Sequence, residues 1–211
     1  MNIIYGTTSE TKHDELNDYF GRTLDFRLVS LKDIKPVTEI AETGNSFKEN
    51  SILKAQAFKT HCEANGLTGM LVLADDTGLE IDAVNGKLVV ITTSYFGKNL
   101  PQIGYINKLL YLLMREDVNR SATLVCSLTA ILPDGITQTF EGKLRGRIAK
   151  QCGNLDGRVF YPVFIPDGET KALSELKGID TPRIIAFKKL LEVIEIQKNT
   201  EEKIKRMNLN I

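Results

Sequence analysis

The stretch MLVLADDTGLEID, residues 70–82, joins a continuous apolar run to two adjacent acids and then to an alternating segment. The run 70–74 is typical of a strand buried inside a sheet, and residues 79–82 alternate as a half-buried strand does. The DDTG between them is typical of an ordinary turn, in which Asp and Gly are favoured. Alternatively, Asp75 and Asp76 form a charged strand end, which needs a nearby cation or a solvent-filled opening.

Strands and helices mix on both sides of this stretch. Residues 2–5 predict a short buried strand, followed by a turn into a helix. A second strand is predicted over 26–31, and residues 121–140 predict a hairpin around the turn 133–135. Because antiparallel pairs occur beside strand–helix alternation, we expect an α/β fold with a mixed central sheet flanked by helices.

Apolar residues at helical spacing predict the faces by which helices pack on this sheet. The first helix carries Leu16, Tyr19 and Phe20 on its inner face. The last helix begins after Pro182 and closes the domain, and we expect a solvated polar extension from residue 197 onward. Its apolar face consists of Ile184, Ile185, Phe187, Leu190, Leu191 and Ile194.

The segment GNSFKENSILKAQAF, residues 44–58, predicts the start of a further helix that ends near Asn65. Ser46 and Glu49 fit a capping box, in which each side chain satisfies a backbone N–H of the first turn. An acid at this position can also bind a metal ion, and the local sequence leaves both roles of Glu49 open. Lys54 falls on a polar position of the helix, so we expect it to be a solvated surface cation.

The composition argues against several classes of protein. With 211 residues, 42% of them hydrophobic, the chain is long enough for one large domain or one domain of two lobes. Lys plus Arg and Asp plus Glu number 27 each, so no overall basic field attracts nucleic acid. Apolar runs are too short for a signal peptide or a membrane span, and Cys62, Cys126 and Cys152 fit reduced thiols. We therefore expect a cytoplasmic protein with neither nucleic-acid nor membrane partners.

Three carboxylates and a polar helix entry favour magnesium-assisted phosphate chemistry. The segment GTTSETK, residues 6–12, follows a strand and enters a helix, where free N–H groups favour a phosphate. It lacks the spacing of a Walker loop or of GxGxxG. Mg²⁺ takes one or two protein carboxylates and leaves its other positions to water and phosphate oxygens. Glu49, Asp75 and Asp76, together with Lys12, fit such a nucleotide site.

The segment ETGNSFKENSILKA, residues 42–55, followed by LADDTGLEIDAVNG, residues 73–86, resembles the motifs of the inosine triphosphate pyrophosphatase family, also called the HAM1 or RdgB-like family. The resemblance spans nearly the whole chain. It implies an elongated mixed α/β fold of two lobes with the nucleotide in the cleft between them. It also implies Mg²⁺-dependent hydrolysis of nucleoside triphosphates, with deaminated purines preferred, to the monophosphate and pyrophosphate, and usually a homodimer. Further matches are Thr7, Lys12, Gly142, Gly146, Pro162, Phe164, Lys171, Glu175, Lys177 and Arg183.

The resemblance also implies roles for individual residues. Glu49 would be a metal ligand, Asp75 a second acid of the metal site, and Asp76 both a metal ligand and the group that activates the attacking water. One two-lobed domain over 1–196 would carry the site, followed by a polar extension over 197–211. The implied substrate-binding residues are Thr7, Thr8, Lys12, Thr77, Arg158, Phe160, Tyr161, Lys171, Lys177 and Arg183. Lys12, Lys171, Lys177 and Arg183 would neutralise the triphosphate. The resemblance implies the same role for Lys54, for which the surface role stays favoured.

The chain departs from the family where the family binds the base. Residues 88–95 replace the pattern PG-[VI]-x-S-A-R-Y, with Ser94 in place of Arg. Arg158 replaces a base-stacking aromatic residue, Tyr161 a base-reading Asp, and Pro182 a His that contacts the purine. We therefore expect altered base selectivity. The alternatives are a divergent member that acts on a pyrimidine or pathway-specific nucleotide, and a catalytically weak nucleotide-binding protein.

Overall fold

The computed structural model describes residues 2–7, 9–20, 27–30, 34, 40–82, 96–97, 100–114 and 119–208. Within these residues, helices flank one six-stranded sheet. The strands are β1 (Asn2–Tyr5), β2 (Arg27–Ser30), β3 (Leu71–Ile81), β4 (Ser121–Ile131), β5 (Thr137–Ile148) and β6 (Phe164–Pro166). The helices are α1 (Glu10–Phe20), α2 (Phe47–Ala64), α3 (Gln102–Leu112) and α4 (Pro182–Asn208).

The sheet is mixed, as the sequence predicts. Its strand order is β2-β1-β3-β4-β5-β6. Strand β1 runs parallel to β2 and β3, whereas β3, β4, β5 and β6 pair antiparallel. The predicted hairpin is formed by β4 and β5, and its turn contains Gly135 with a φ of 90°, which glycine adopts without strain. The predicted α/β class is confirmed.

Strand β3 contains all four DDTG residues, so both the interpretation as a turn and the interpretation as a charged strand end are wrong. Residues 71–81 form one unbroken strand, in which Asp75 pairs with Leu128 and Asp76 with Ser127 of β4. The ladder with β4 satisfies backbone groups along the whole segment, and this outweighs the local turn preference. Successive side chains of a strand point to opposite faces of the sheet, so the two acids meet different helices.

Helix α2 begins and ends as predicted. The Ser46 side chain accepts the backbone N–H of Glu49, and Asn65 forms the C-terminal cap. Phe47, Ala55, Phe58 and Cys62 are among the buried side chains of the helix. Of these, Ala55, Phe58 and Cys62 pack against side chains of the sheet.

Helix α1 is buried through Leu16 and Phe20, as predicted, but the prediction for Tyr19 is wrong. Tyr19 is 37% exposed, and its hydroxyl donates to Asp180 at 2.6 Å. Tyr19 lies at the rim of the apolar face, where its hydroxyl can reach a polar partner outside the core.

Apolar side chains form three cores that meet around the middle of β3. Leu73 packs in a core with α1 and α4, Ala74 in a core with α2, and Leu79 in a core with α3. Asp75 and Asp76 lie between these residues on the same strand. The acids are thus held where the cores adjoin, by a strand that is anchored on both sides of them.

Two glycines of β5 allow the C-terminal elements to lie against the sheet. A Cβ atom on Gly142 would lie 1.9 Å from the carbonyl oxygen of Pro182, and one on Gly146 would lie 2.3 Å from that of Ile165. Any side chain there would displace the start of α4 or strand β6. Arg183 follows Pro182 directly. The absence of a side chain at Gly142 therefore allows the start of α4, and Arg183 with it, to lie close to the sheet.

Helix α4 continues beyond residue 197, where the sequence predicts a solvated extension, and ends at Asn208. The backbone of most of that extension is therefore helical, and the domain boundary at residue 196 stays a prediction. Among the described residues, no helix combines the length and apolar character required to cross a membrane.

Candidate active site

A cavity of about 180 Å³ opens beside the acidic middle of β3. Its walls come from the start of α1, from α2 and β3, from the loop before residue 161, and from the start of α4. The fold thus brings together residues that lie more than 100 positions apart in the chain. The predicted site residues that line it are Lys12, Asp76, Thr77, Arg158, Phe160, Tyr161 and Arg183.

Asp75 is buried behind this cavity and binds four nitrogen or oxygen donors, as well as the Cys126 thiol at 3.8 Å. Its Oδ1 accepts the Tyr5 hydroxyl at 2.5 Å, and its Oδ2 accepts Lys12 Nζ at 2.8 Å, Thr77 Oγ1 at 2.8 Å and an Arg183 NH2 hydrogen at 3.1 Å. Burial raises the pKa of this carboxyl, but the charges of Arg183 and Lys12 hold the pKa well below its usual value. Asp75 is therefore an anion that fixes the two cations in place.

Asp76 points to the other face of β3 and lines the cavity. Its Oδ1 accepts Lys54 Nζ at 2.8 Å, and its Oδ2 accepts Asn50 Nδ2 at 3.4 Å. Burial raises the pKa of Asp76 above its ordinary value, although Lys54 opposes the shift. A buried carboxylate with a raised pKa is a better proton acceptor than an exposed one.

The prediction that Lys54 is a surface cation is wrong. Its side chain is 15% exposed, and Nζ lies 2.6 Å from Glu42 Oε1 and 2.8 Å from Asp76 Oδ1. Burial lowers the pKa of Lys54, but the two carboxylates together raise it above its usual value. Glu42 and Asn50, which the sequence analysis did not select, also belong to this part of the site.

A second buried ion pair lies at the other end of the cavity. Arg183 donates through NH1 to Glu15 and through NH2 to Asp75, and its side chain is 3% exposed. The Tyr161 hydroxyl also donates to Glu15, at 2.9 Å. Burial and the charge of Glu15 raise the pKa of Tyr161, so the hydroxyl keeps its proton. Glu15 was not among the predicted site residues, although it follows Lys12 by three residues on one helix face.

Arg158 forms part of the wall between this cavity and a neighbouring one of about 250 Å³. Its guanidinium lies over the Tyr161 ring, 4.5 Å from the ring centre. Its NH2 lies 2.6 Å from Asp156 Oδ2, and its NH1 lies 3.7 Å from Glu15 Oε1. Arg158 and Tyr161, two of the residues that depart from the family pattern, therefore bind each other and nearby acids.

Three predicted substrate ligands do not line the cavity, and a fourth lies outside the described residues. Thr7 is buried, and its Oγ1 accepts the Ser9 N–H at 3.1 Å. Lys171 and Lys177 are exposed and do not line the cavity. Thr8 lies outside the described residues, as do residues 88–95 with Ser94.

Only the Ser46 half of the predicted capping box is formed, because the Glu49 side chain binds the residue before the N-cap instead of the Ser46 N–H. Glu49 is exposed, and its Oε2 accepts the Asn45 N–H at 2.6 Å. Within the described part of the chain, no group of three or more His, Cys, Asp or Glu side chains is arranged to hold a metal ion. The predicted set of Glu49, Asp75 and Asp76 is thus not assembled here, whereas Glu42 and Asp76 approach each other across Lys54.

Comparison with known proteins gives one consistent result. The sequence model of the Ham1 family matches residues 3–193. A dITP/XTP pyrophosphatase of Bacillus licheniformis is 32% identical over 198 residues, which cover 92% of this chain and 97% of the relative. A dITP/XTP pyrophosphatase of Bdellovibrio bacteriovorus is 28% identical over 200 residues, which cover 92% of this chain and 98% of the relative.

Solved structures show the same similarity. The Ham1 protein of Staphylococcus aureus superposes with a TM-score of 0.75 at 27% identity, covering 93% of this chain and 100% of that protein. A HAM1 protein from Coxiella burnetii superposes with a TM-score of 0.75 at 26% identity, covering 92% of this chain and 98% of that protein.

Proposed function

We propose that this chain, which belongs to the Ham1 family, hydrolyses nucleoside triphosphates to the monophosphate and pyrophosphate with Mg²⁺, and that its choice of base is altered. Its relatives from Bacillus licheniformis and Bdellovibrio bacteriovorus are dITP/XTP pyrophosphatases. The activity of these relatives supports hydrolysis of a nucleoside triphosphate by this chain. In the proposed reaction, water attacks the α-phosphorus, the bond from that phosphorus to the bridging oxygen breaks, and pyrophosphate leaves.

A buried carboxylate faces a cavity whose walls also hold cations. Asp76 lines the cavity together with Lys12, Lys54 and Arg183. A triphosphate carries several negative charges that cations must offset, and the attacking water must lose a proton to a nearby base. The cavity thus brings together cations for the phosphates and a carboxylate that can act as the base. This observation is the main support for the proposal.

The two acids of β3 and the cations that they bind have separate tasks in this proposal. Asp76 accepts the proton of the attacking water, since its carboxylate lies in the cavity wall beside the cations. Lys54 lies beside that carboxylate and can bind a phosphate oxygen next to the reacting centre. Asp75 does not touch the substrate, but it holds Lys12 and Arg183 in the positions from which they neutralise phosphate charge.

Two carboxylates of the cavity fit the requirements of Mg²⁺. Glu42 and Asp76 line the cavity and share the ammonium group of Lys54, so a cation is already favoured between them. Mg²⁺ is commonly bound by one or two carboxylates plus waters and substrate phosphates. A bound Mg²⁺ would offset charge on the phosphates, with Glu42 and Asp76 as its protein ligands. Glu49, which the resemblance implies as a ligand, remains a prediction in that role.

The base side of the cavity supports altered selectivity. Where the family has a stacking aromatic residue and a base-reading Asp, this chain has Arg158 and Tyr161. Both are engaged within the protein, since Arg158 pairs with Asp156 and the Tyr161 hydroxyl binds Glu15. A site that hydrogen-bonds a base rejects analogues by leaving its own polar groups unpaired. Groups that are already paired impose little such penalty.

Product analysis with a panel of nucleoside triphosphates tests the activity. We expect pyrophosphate and the monophosphate as products, and no turnover after removal of divalent cations with a chelator. Stepwise release of orthophosphate would contradict attack at the α-phosphorus. Binding of nucleotides without any turnover would favour the alternative of a catalytically weak nucleotide-binding protein.

We also propose that the protein is a homodimer and acts in the cytoplasm, as the family resemblance implies. Light scattering coupled to size-exclusion chromatography measures the mass in solution. A mass of one 23.6 kDa chain at micromolar concentration would contradict the dimer.

A further inference from the structure

Gln102 of α3 binds the loop 156–158, which places Arg158 in the wall of the cavity. Gln102 Nε2 donates to the carbonyl oxygen of Arg158 at 2.7 Å and to Asp156 Oδ1 at 3.3 Å. Gln102 Oε1 accepts the Gly157 N–H at 3.0 Å. One side-chain amide therefore binds all three residues of the loop.

Asp156 links the loop that Gln102 binds to the guanidinium of Arg158. Its Oδ2 accepts Arg158 Nε at 2.8 Å and lies 2.6 Å from NH2, while its Oδ1 accepts the Arg158 backbone N–H at 3.0 Å. The guanidinium is thereby kept over the Tyr161 ring. A free arginine side chain would sample many rotamers, and fixing one of them on binding costs conformational entropy.

We infer that Gln102 is a positioning residue for the base side of the nucleotide site, and that it acts through Asp156 on Arg158. Gln102 does not line the cavity, whereas Arg158 and Gly157 do. An arginine that is already oriented binds its ligand with a smaller ordering cost than a mobile one. The link between Gln102 and nucleotide binding rests on the proposed function. The restraint of the loop 156–158 by Gln102, which we call the clamp, rests on these hydrogen bonds alone.

Kinetics of single variants give the first test. Gln102→Ala removes bonds to the loop without touching the cavity, so KM should rise about five- to tenfold with kcat changed less than about twofold. Gln102→Glu keeps an acceptor for Gly157 but loses the amide donor and places a second carboxylate beside Asp156, so KM should rise at least as much. Asn107→Ala is the matched control, because Asn107 is an exposed residue of the same helix. KM of that control should equal the wild-type value.

A double-variant comparison separates positioning from general destabilisation. In an Arg158→Ala background, Gln102→Ala should change KM by less than about twofold, because the side chain that it orients is gone. A full additional rise in KM in that background would overturn the inference. An unchanged KM in the single variant Gln102→Ala would also overturn it.

Limited digestion with trypsin tests the clamp independently of any nucleotide. Cleavage after Arg158 requires the loop to leave its position, so Gln102→Ala should be cut there about tenfold faster than wild type and than Asn107→Ala. Equal cleavage rates in the three proteins would overturn the clamp. Absence of turnover in wild type, combined with faster cleavage of Gln102→Ala, would refute the proposed function while leaving the clamp intact.

Discussion

The two sides of the cavity differ in what their charged groups are paired with. On the phosphate side, Lys12 and Lys54 bind the acids of β3 and line the cavity. On the base side, Arg158 pairs with Asp156, and the Tyr161 hydroxyl binds Glu15. The first side keeps the residue types that the family motif has, whereas the second has replaced them.

Under the proposed function, this difference predicts that phosphate binding and base recognition can be altered separately in one cavity. Phosphate chemistry needs cations and a carboxylate at fixed places, so its residues cannot change type without loss of the reaction. Base recognition needs polar groups that only the correct base can satisfy. Here the described groups of the base side satisfy one another, so we expect variants of the two sides to behave differently.

The largest effect is expected on the phosphate side, from Asp76→Asn. The amide has nearly the same shape but is a poor proton acceptor, so kcat should fall about 10³-fold for every nucleotide. Asp134→Asn, in the exposed turn of the β4–β5 hairpin, is the control and should keep full activity. Near-wild-type kcat in Asp76→Asn would show that another group accepts the proton.

Removal of the positive charge of Arg183, which pairs with Glu15 and Asp75, should lower the free energy of unfolding. Arg183→Met leaves Glu15 and Asp75 buried without their guanidinium, and loss of one partner of a buried pair costs about 3–5 kcal/mol of unfolding free energy. Urea denaturation measures this change. Lys188→Met, on the same helix but paired with Asp180 at the surface, should have little effect. A similar loss of unfolding free energy in both variants would show that the ion pairs of Arg183 are not the cause of the destabilisation.

Lys54→Met should lower kcat/KM by about 10- to 100-fold, since one charge-assisted bond to a phosphate is lost. The loss should be equal for all bases, because Lys54 lies on the phosphate side. Lys59→Met is the matched control on α2, where Lys59 pairs with Glu63 at the surface. A loss that depends on the base would place Lys54 in base recognition instead.

The smallest effect is expected on the base side, from Tyr161→Phe. The ring stays under Arg158, but the hydroxyl that binds Glu15 is lost, so the ratio of kcat/KM between two bases should shift about two- to fivefold. Steady-state kinetics with two triphosphates of different base measures this ratio. An equal change for both nucleotides would show that Tyr161 acts on the fold rather than on the base.

Local sequence signals predicted the parts of the fold that local interactions form. Ser46 and Asn65 bound α2 because capping depends on neighbours within a few residues. Turn preference at residues 75–78 failed for the opposite reason. The pairing of Asp75 and Asp76 with β4 is a contact across more than 50 residues, and no local pattern carries it.

The site was predicted in part for the same reason. Asp76 and Lys12 lie in motifs that the family resemblance contains, and both line the cavity. Lys54 was placed on the surface because helical periodicity shows which face is polar, but not that a buried carboxylate lies opposite. Glu15 and Gln102 act through partners more than 50 residues away, so only the folded chain reveals them.

Competition between nucleoside triphosphates tests the central claim most directly. Inosine, xanthosine, guanosine, adenosine, uridine and thymidine triphosphates are mixed in pairs with the protein and Mg²⁺, and the monophosphates are quantified. Retained phosphate chemistry with an altered base side predicts pyrophosphate release and a preference for inosine and xanthosine over adenosine that is weak or replaced by another base. A preference of about a hundredfold for inosine triphosphate over adenosine triphosphate would contradict the account.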